Sequence, residues 1–219
     1  MNVLTQQTPE AWNACVRSFA GWDIYYLCEY AVSLKLHGDG EPLLLCFEHG
    51  AERMCYVVMR SDIADDPRFH GLLPAGRLFD LETPYGYGGP LTDAPLSPEA
   101  QQIFMEELRD YCLEQRIVTQ FLRYHPLLDN HAAVSPMTDT RYLRDTIYMD
   151  TASPELILAN MDSKNRNMVR KAQRSGVTVR KAPMSEYAPF LELYRQTMDT
   201  HSAEDYYTFG TPYLDSLSE

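Results

Sequence analysis

Apolar and polar positions recur along the chain with two periods, and the switches between them mark out the elements. Trp12, Cys15, Val16 and Phe19 recur at helical spacing behind Thr8-Pro9-Glu10, an N-cap followed by a first-turn proline, and Gly21 ends the run. A second helix is predicted over 25–36, with Leu27, Tyr30, Ala31 and Leu34 inward, and His37-Gly38-Asp39-Gly40 breaks it. Pro42 to Glu48 and Arg53 to Arg60 are strand-like runs joined by a turn at His49-Gly50-Ala51-Glu52. Both runs are apolar almost throughout, which predicts strands covered on both faces. Residues 61–76 read as loop, and Leu78, Phe79 and Leu81 as a short strand. Ser97-Pro98-Glu99 opens a helix to Gln115 with Ile103, Phe104, Leu108, Tyr111 and Cys112 on its buried stripe.

Arg116 to Leu122 and Tyr142 to Asp150 then read as strands, and Ser153-Pro154-Glu155 starts a short helix over Leu156 to Asn160. In the next helix Met161, Asn165, Met168, Val169 and Ala172 form a narrow apolar face, with Ser163 as the cap and Gly176 as the stop. Val177, Val179 and Ala182 alternate with polar residues as in a half-buried strand. Ser185 begins a helix with Phe190, Leu191, Leu193, Tyr194, Thr197 and Met198 on its apolar face. A polar, aromatic loop over 202–210 and a helix start at Tyr213 to Leu217 follow, and Glu219 reads as a truncation-like end. The order of elements is that of an α/β (α+β) fold with an antiparallel front hairpin.

Composition narrows the class. With 45% hydrophobic residues the chain can build an ordinary core, and no apolar run reaches the ~20 residues that span a bilayer. The N-terminus lacks a basic n-region followed by an apolar stretch, so no signal peptide is expected there. Five single cysteines without a CxxC spacing read as reduced core thiols of a cytoplasmic protein, not as disulfides or zinc ligands, and no metal is expected. The net charge of −12 argues against general nucleic-acid binding.

Charge distribution changes that picture locally. Lys164, Arg166, Arg170, Lys171, Arg174, Arg180 and Lys181 lie in a stretch, 163–181, without one Asp or Glu. The other 12 basic residues face all 31 acidic ones. Arg166, Arg170 and Arg174 are four apart and share a helix face. A solvated basic face is the plain alternative. The lack of carboxylates favours a surface that meets an anionic small molecule or precursor, with Lys164, Arg166 and Arg170 as binding candidates.

Thr83 to Pro90 (TPYGYGGP) holds three glycines and two prolines, which can neither continue a strand nor start a helix. Two readings stay open for Tyr85 and Tyr87: tyrosines resting on the core at a tight turn, or the wall of a ligand cleft. The loop is not a phosphate-binding fingerprint, since no GK[ST] follows it. His125, held extended before Pro126, is a candidate base with Tyr87, although a histidine at a strand end is more often structural.

LETPYGYGGPL, RYHPLLDN, DTIYMD, SKNRNMVRKAQRSGV and LELYRQTMDTHSAEDYY together resemble the Fem (FemABX) type of GNAT-superfamily protein, the peptidoglycan-bridge aminoacyltransferases and their N-acyltransferase relatives. The resemblance implies two GNAT-like domains, a largely antiparallel mixed sheet flanked by helices over 1–175 and the first elements of an incomplete second domain over 176–219. It implies transfer of an acyl or aminoacyl group from acyl-CoA (acetyl-CoA) or aminoacyl-tRNA to an amine, in cell-wall or polysaccharide precursor synthesis. The pyrophosphate loop [RQ]-x-x-G-x-[GA] of GNAT enzymes is not found in the chain. A non-catalytic GNAT-like module that binds an anionic glycan or peptide precursor is the alternative.

Overall fold

The computed structural model describes residues 1–217. Its centre is an antiparallel hairpin of β2 (Glu41–His49) and β3 (Glu52–Asp62), paired from Glu41 opposite Arg60 to His49 opposite Glu52. β1 (Asn2–Thr5) adds antiparallel to the outer side of β2. On the other side β4 (Phe79–Glu82) pairs antiparallel with β3, and β6 (Ile117–Phe121) pairs parallel with β4. The two-residue β5 (Leu91–Thr92) pairs with the start of β3. The result is a mostly antiparallel, open sheet in an α+β fold.

Residues on β2 and β3 point alternately to opposite faces, and both faces are buried. Leu44, Cys46, Cys55, Val57 and Met59 meet Trp12 and Val16 of α1 (Pro9–Arg17) and Ala31 and Leu34 of α2 (Cys28–His37). Leu45, Phe47, Met54, Tyr56 and Val58 meet Ala100 and Phe104 of α3 (Pro98–Gln115). The continuous apolar runs therefore mean what they predict, a sheet between two helical layers. All five cysteines are free thiols.

Local chemistry sets the helix ends. Ser97 Oγ accepts the Ala100 N–H at the start of α3. Gly38, at φ 113°, closes α2 in the left-handed region and turns the chain toward β2. α4 (Pro154–Asn160) is capped by Ser153. α5 (Ser163–Arg174) is capped by Asp162, whose carboxylate accepts the Asn165 N–H at 2.7 Å, not by Ser163 as expected. An ionised carboxylate accepts more strongly there than a hydroxyl and also complements the helix dipole.

Two expected strands do not form. Residues 142–150 have no regular structure and are exposed, with Ile147 97% accessible, and the same holds for 177–181, with Val179 at 96%. Their alternation supplies propensity, but a strand exists only with a partner, and these segments have none among the described residues. Conversely, β1 forms where its four residues carry no clear strand pattern. The second helix starts later than expected, since Ile24–Tyr26 form a 3₁₀ turn.

Residues from 176 onward carry α6 (Ala188–Thr200) and α7 (Thr211–Ser216). α7 packs on α2, and Tyr213 rests against the core beneath it. Among the described residues no helix is long and apolar enough to cross a membrane.

Leu44→Ala opens a cavity in the doubly covered hairpin and should cost about 2–5 kcal/mol in equilibrium urea unfolding. Ile147→Ala, in the unpaired exposed segment, should change stability by less than about 0.5 kcal/mol.

Candidate functional site

Hydrogen bonds hold the loop that follows β4 at both its ends and in its middle. Thr83 N–H donates to the Phe121 carbonyl at 3.0 Å, and Thr83 Oγ1 accepts the Arg123 N–H at 2.9 Å. Gly88 N–H donates to the Arg123 carbonyl at 2.9 Å. In the middle, the Tyr30 hydroxyl of α2 donates to the Tyr85 carbonyl at 2.7 Å. Two glycines are required by space as well as by conformation. A Cβ on Gly86 (φ 106°) would meet the Tyr25 ring at 2.5 Å, and one on Gly89 (φ 84°) the Tyr124 ring at 2.8 Å.

Asn130 is the side chain that ties this loop to the next one. It is buried; its Nδ2 donates to the Gly88 carbonyl at 2.8 Å and its Oδ1 accepts the His125 N–H at 3.1 Å. In the sequence it is one polar residue in a polar loop, with nothing to single it out. Only the closure of two distant loops reveals its role.

Tyr85 and Tyr87 do not form one wall. Tyr87 packs edge-on against Tyr25 at 5.9 Å and lies 6.0 Å from His125. Tyr85 turns the other way, 5.8 Å from both Tyr206 and Phe209 and 6.3 Å from Tyr207. Tyr30 stands between the two groups, 5.4 Å from Tyr25. Burial, followed by the Asp23 charge, raises the Tyr25 hydroxyl above the usual tyrosine range. The 201–217 tyrosines, legible in the sequence only as loop and helix start, thus complete a seam with α2 and the glycine loop.

His125 is engaged at both ring nitrogens. Nδ1 accepts the Leu127 N–H at 3.2 Å, so Nε2 carries the proton and donates to Asp23 Oδ2 at 2.8 Å. The other Asp23 oxygen accepts the Tyr25 N–H at 2.9 Å. The imidazole has no lone pair left for a substrate proton in this arrangement. It orients Tyr25 through Asp23, which is a structural task, and the base role expected as one alternative finds no support in this geometry.

On the far side of the seam, Asp39 follows the α2 cap and is 8% exposed. Its Oδ2 accepts the Tyr206 hydroxyl at 3.0 Å. His37 holds the same turn, with Nε2 2.8 Å from the Tyr206 carbonyl and its ring 4.7 Å from that of Phe209. Burial raises the Asp39 carboxyl above the ordinary range, against the opposing influence of the Tyr206 hydroxyl and His37. Glu82 reaches the surface, yet local desolvation and then the Asp39 charge raise it too.

The basic helix stands apart from this seam. α5 buries none of its residues. Arg166 folds back to cap α4, with Nη1 donating to the carbonyls of Leu158 at 3.3 Å and Ala159 at 3.5 Å and more closely to that of Met161. Lys164 and Arg170 are exposed. Among the described residues no hydrogen bond, ion pair or ring contact joins α5 to Tyr85 or Tyr87. No group of three or more His, Cys, Asp or Glu able to hold a metal is present among the described residues.

Asn130→Ala should cost about 1–3 kcal/mol by stranding the Gly88 carbonyl and the His125 N–H, and should speed amide exchange of the loop in native-state hydrogen-exchange measurements. Asp39 also predicts a pH effect. A carboxyl raised in the folded state retains a proton that the unfolded chain has released. Stability from this group therefore falls as pH rises from the ordinary Asp range through the raised value. In urea titrations at a series of pH values, Asp39→Asn should lack that fall, so wild type and variant converge as pH is lowered.

Residues 130–213 match the model of the FemAB family, a span that starts at Asn130 and contains α4, α5, α6 and the Tyr206–Phe209 turn. Tyr85, Tyr87, His125 and Asp39 lie outside it. No curated protein and no solved structure matches the chain. The part that carries the basic helix and the outer tyrosines is thus similar to FemAB proteins.

Proposed function

We propose that the chain belongs to an N-acyltransferase that passes an aminoacyl or acyl group from an activated donor, aminoacyl-tRNA or acyl-CoA, to an amine acceptor. The FemAB match carries this reading, and it favours the aminoacyl donor and a peptidoglycan precursor as acceptor. In this reading residues 1–175 are a first GNAT-like domain and 176–219 open a second. Such donors place the protein in the cytoplasm.

Amine acylation makes three requirements, and candidate residues can be named for the first two. The donor must be oriented, the amine deprotonated and the developing oxyanion stabilised. Lys164 and Arg170 on the exposed face of α5 suit phosphates of the donor or of a nucleotide-linked precursor, and Arg166 joins them if it releases α4. Tyr87 remains the candidate for proton traffic, because His125 is committed to Asp23 and Leu127, while Tyr85, turned toward Tyr206 and Phe209, is left as a candidate for binding alone. That same commitment is what favours the second reading, a binding module without turnover.

The test is thermal unfolding with acetyl-CoA, a non-hydrolysable aminoacyl-tRNA analogue and a UDP-linked muropeptide, together with mass detection of acylated product. A genuine ligand at a hundredfold excess over its Kd should stabilise the chain by roughly 2.7 kcal/mol. Replacing Lys164 and Arg170 by alanine should weaken binding of the tRNA analogue and lower its log–log salt slope by about 1 for each phosphate left without its cation. Stabilisation without product supports the binding module; no stabilisation by any of the three rejects both readings.

A further inference from the structure

Three of the cysteines meet under α1, although the sequence keeps them apart. Cys46 of β2 and Cys55 of β3 are paired directly across the ladder, so their side chains leave the sheet on one face. Cys15, in the last turn of α1, comes down on that face, and its Sγ lies 3.7 Å from Cys46 Sγ. Cys55 is fully covered and Cys46 nearly so, whereas Cys15 is only half-buried and forms the solvent side of the group. Arg53 holds the same end of α1. Its Nη1 donates to Ser18 Oγ at 2.8 Å and its Nη2 to the Ser18 carbonyl at 2.9 Å, while Ser18 Oγ donates to the Cys15 carbonyl at 2.6 Å.

Hydrogen bonds from the Cys46 and Cys55 thiols, with a smaller contribution from the Arg53 charge, hold the Cys15 thiol below the usual thiol range against the effect of burial. The same bonds, and burial, hold Cys46 and Cys55 above it, so these two donate and Cys15 accepts. The thiolate is the form that attacks an oxidant. A sulfenic acid formed beside a second thiol condenses to a disulfide, which protects it from irreversible oxidation. The Cys15 and Cys46 sulfurs must close by about 1.7 Å to reach the bonded distance. Cys112 supplies a contrast within the same chain. It is half-buried on α3, in the opposite layer, with burial raising its thiol and no sulfur contact among the described residues.

We propose that Cys15 and Cys46 form a redox-active thiol pair, in which Cys15 attacks a peroxide and Cys46 resolves the product into a disulfide that ties α1 to β2. The Cys15 sulfur bonds to one peroxide oxygen and the O–O bond breaks, leaving a sulfenic acid and hydroxide, which takes up a proton to become water. The Cys46 sulfur then bonds to the Cys15 sulfur and displaces the second hydroxide, which leaves as water with the Cys46 proton. In sum two thiols lose two electrons and two protons, and one peroxide becomes two waters. The bridge closes residues 15–46 into a loop that contains Tyr25 and all of α2, including the Tyr30 hydroxyl that holds the Tyr85 carbonyl. Oxidation therefore restrains the helical layer behind the glycine loop. The inference rests on the packing of α1 on the hairpin and is independent of the acyl-transfer reading.

The experiment treats the folded full chain with hydrogen peroxide in small excess, alkylates the remaining thiols, and reads intact mass and a protease map under non-reducing conditions. Each chain should lose two hydrogen atoms in mass, with the Cys15 and Cys46 peptides linked, Cys28, Cys55 and Cys112 alkylated, and full reversal by a dithiol reductant. Cys15 should be consumed at least about tenfold faster than Cys112, and the advantage should vanish in urea, because the fold supplies it. In Cys46→Ala the sulfenic acid should persist at Cys15 and be trapped there by dimedone. The wild-type peptide map stands as evidence whether or not that variant folds. Oxidation of Cys15 no faster than of Cys112, a bridge that leaves out Cys15 or Cys46, or a link between two chains in place of one within a chain overturns the proposal.

Discussion

The β2–β3 ladder has no solvent face, and the remaining elements are arranged by that constraint. Its two sets of side chains, Leu44, Cys46, Cys55, Val57 and Met59 on one side and Leu45, Phe47, Met54, Tyr56 and Val58 on the other, each need a cover. α1 and α2 supply one and α3 the other. A slip of one residue in register would exchange the two sets and mismatch both layers at once, so the hairpin is held in place from two directions. β4 joins this fixed ladder through β3, and the glycine loop leaves from its end at Glu82. The position of the candidate site is therefore inherited from the core.

The loop keeps its shape through polar ties between segments far apart in the chain. Asp23 links the Tyr25 backbone to His125, and Asn130 links His125 to Gly88. Each tie satisfies a buried or half-buried polar group, and removing the buried Asn130 would leave its partners without a hydrogen bond. The tyrosine rings fill the spaces between these ties. Gly86 has no side chain because the Tyr25 ring occupies the place where one would stand. The result is an aromatic seam with a polar skeleton, tied by hydrogen bonds on the glycine-loop side and lightly covered at the Tyr206–Phe209 turn.

The acidic and basic parts of the chain are separated in space as they are in sequence. Asp39 lies buried in the seam, while α5 stands in solvent with its cations on the surface. In solution such a helix acts on anions over roughly a Debye length, about 8 Å at physiological salt, and needs no cleft to attract them. No hydrogen bond, ion pair or ring contact joins α5 to the seam tyrosines Tyr85 and Tyr87 among the described residues.

Period, cap residues and glycine–proline clusters determined by themselves the helices α1 to α4, the basic helix, the double-sided hairpin and the irregular loop at 83–90. These signals are local, read within a few residues of where they act. The alternation at 142–150 and 177–181 is equally local, and it misleads, because strands are made by partners and sequence spacing names none. Tertiary structure alone decided that Tyr85 and Tyr87 part company, that His125 is tied to Asp23 across a hundred residues, that Arg166 turns back on α4, and that the last tyrosines return to α2 beside Asp39. Each of those facts is a meeting of segments that the sequence keeps apart, and the free energy of such a meeting depends on chain closure, which no window of sequence contains.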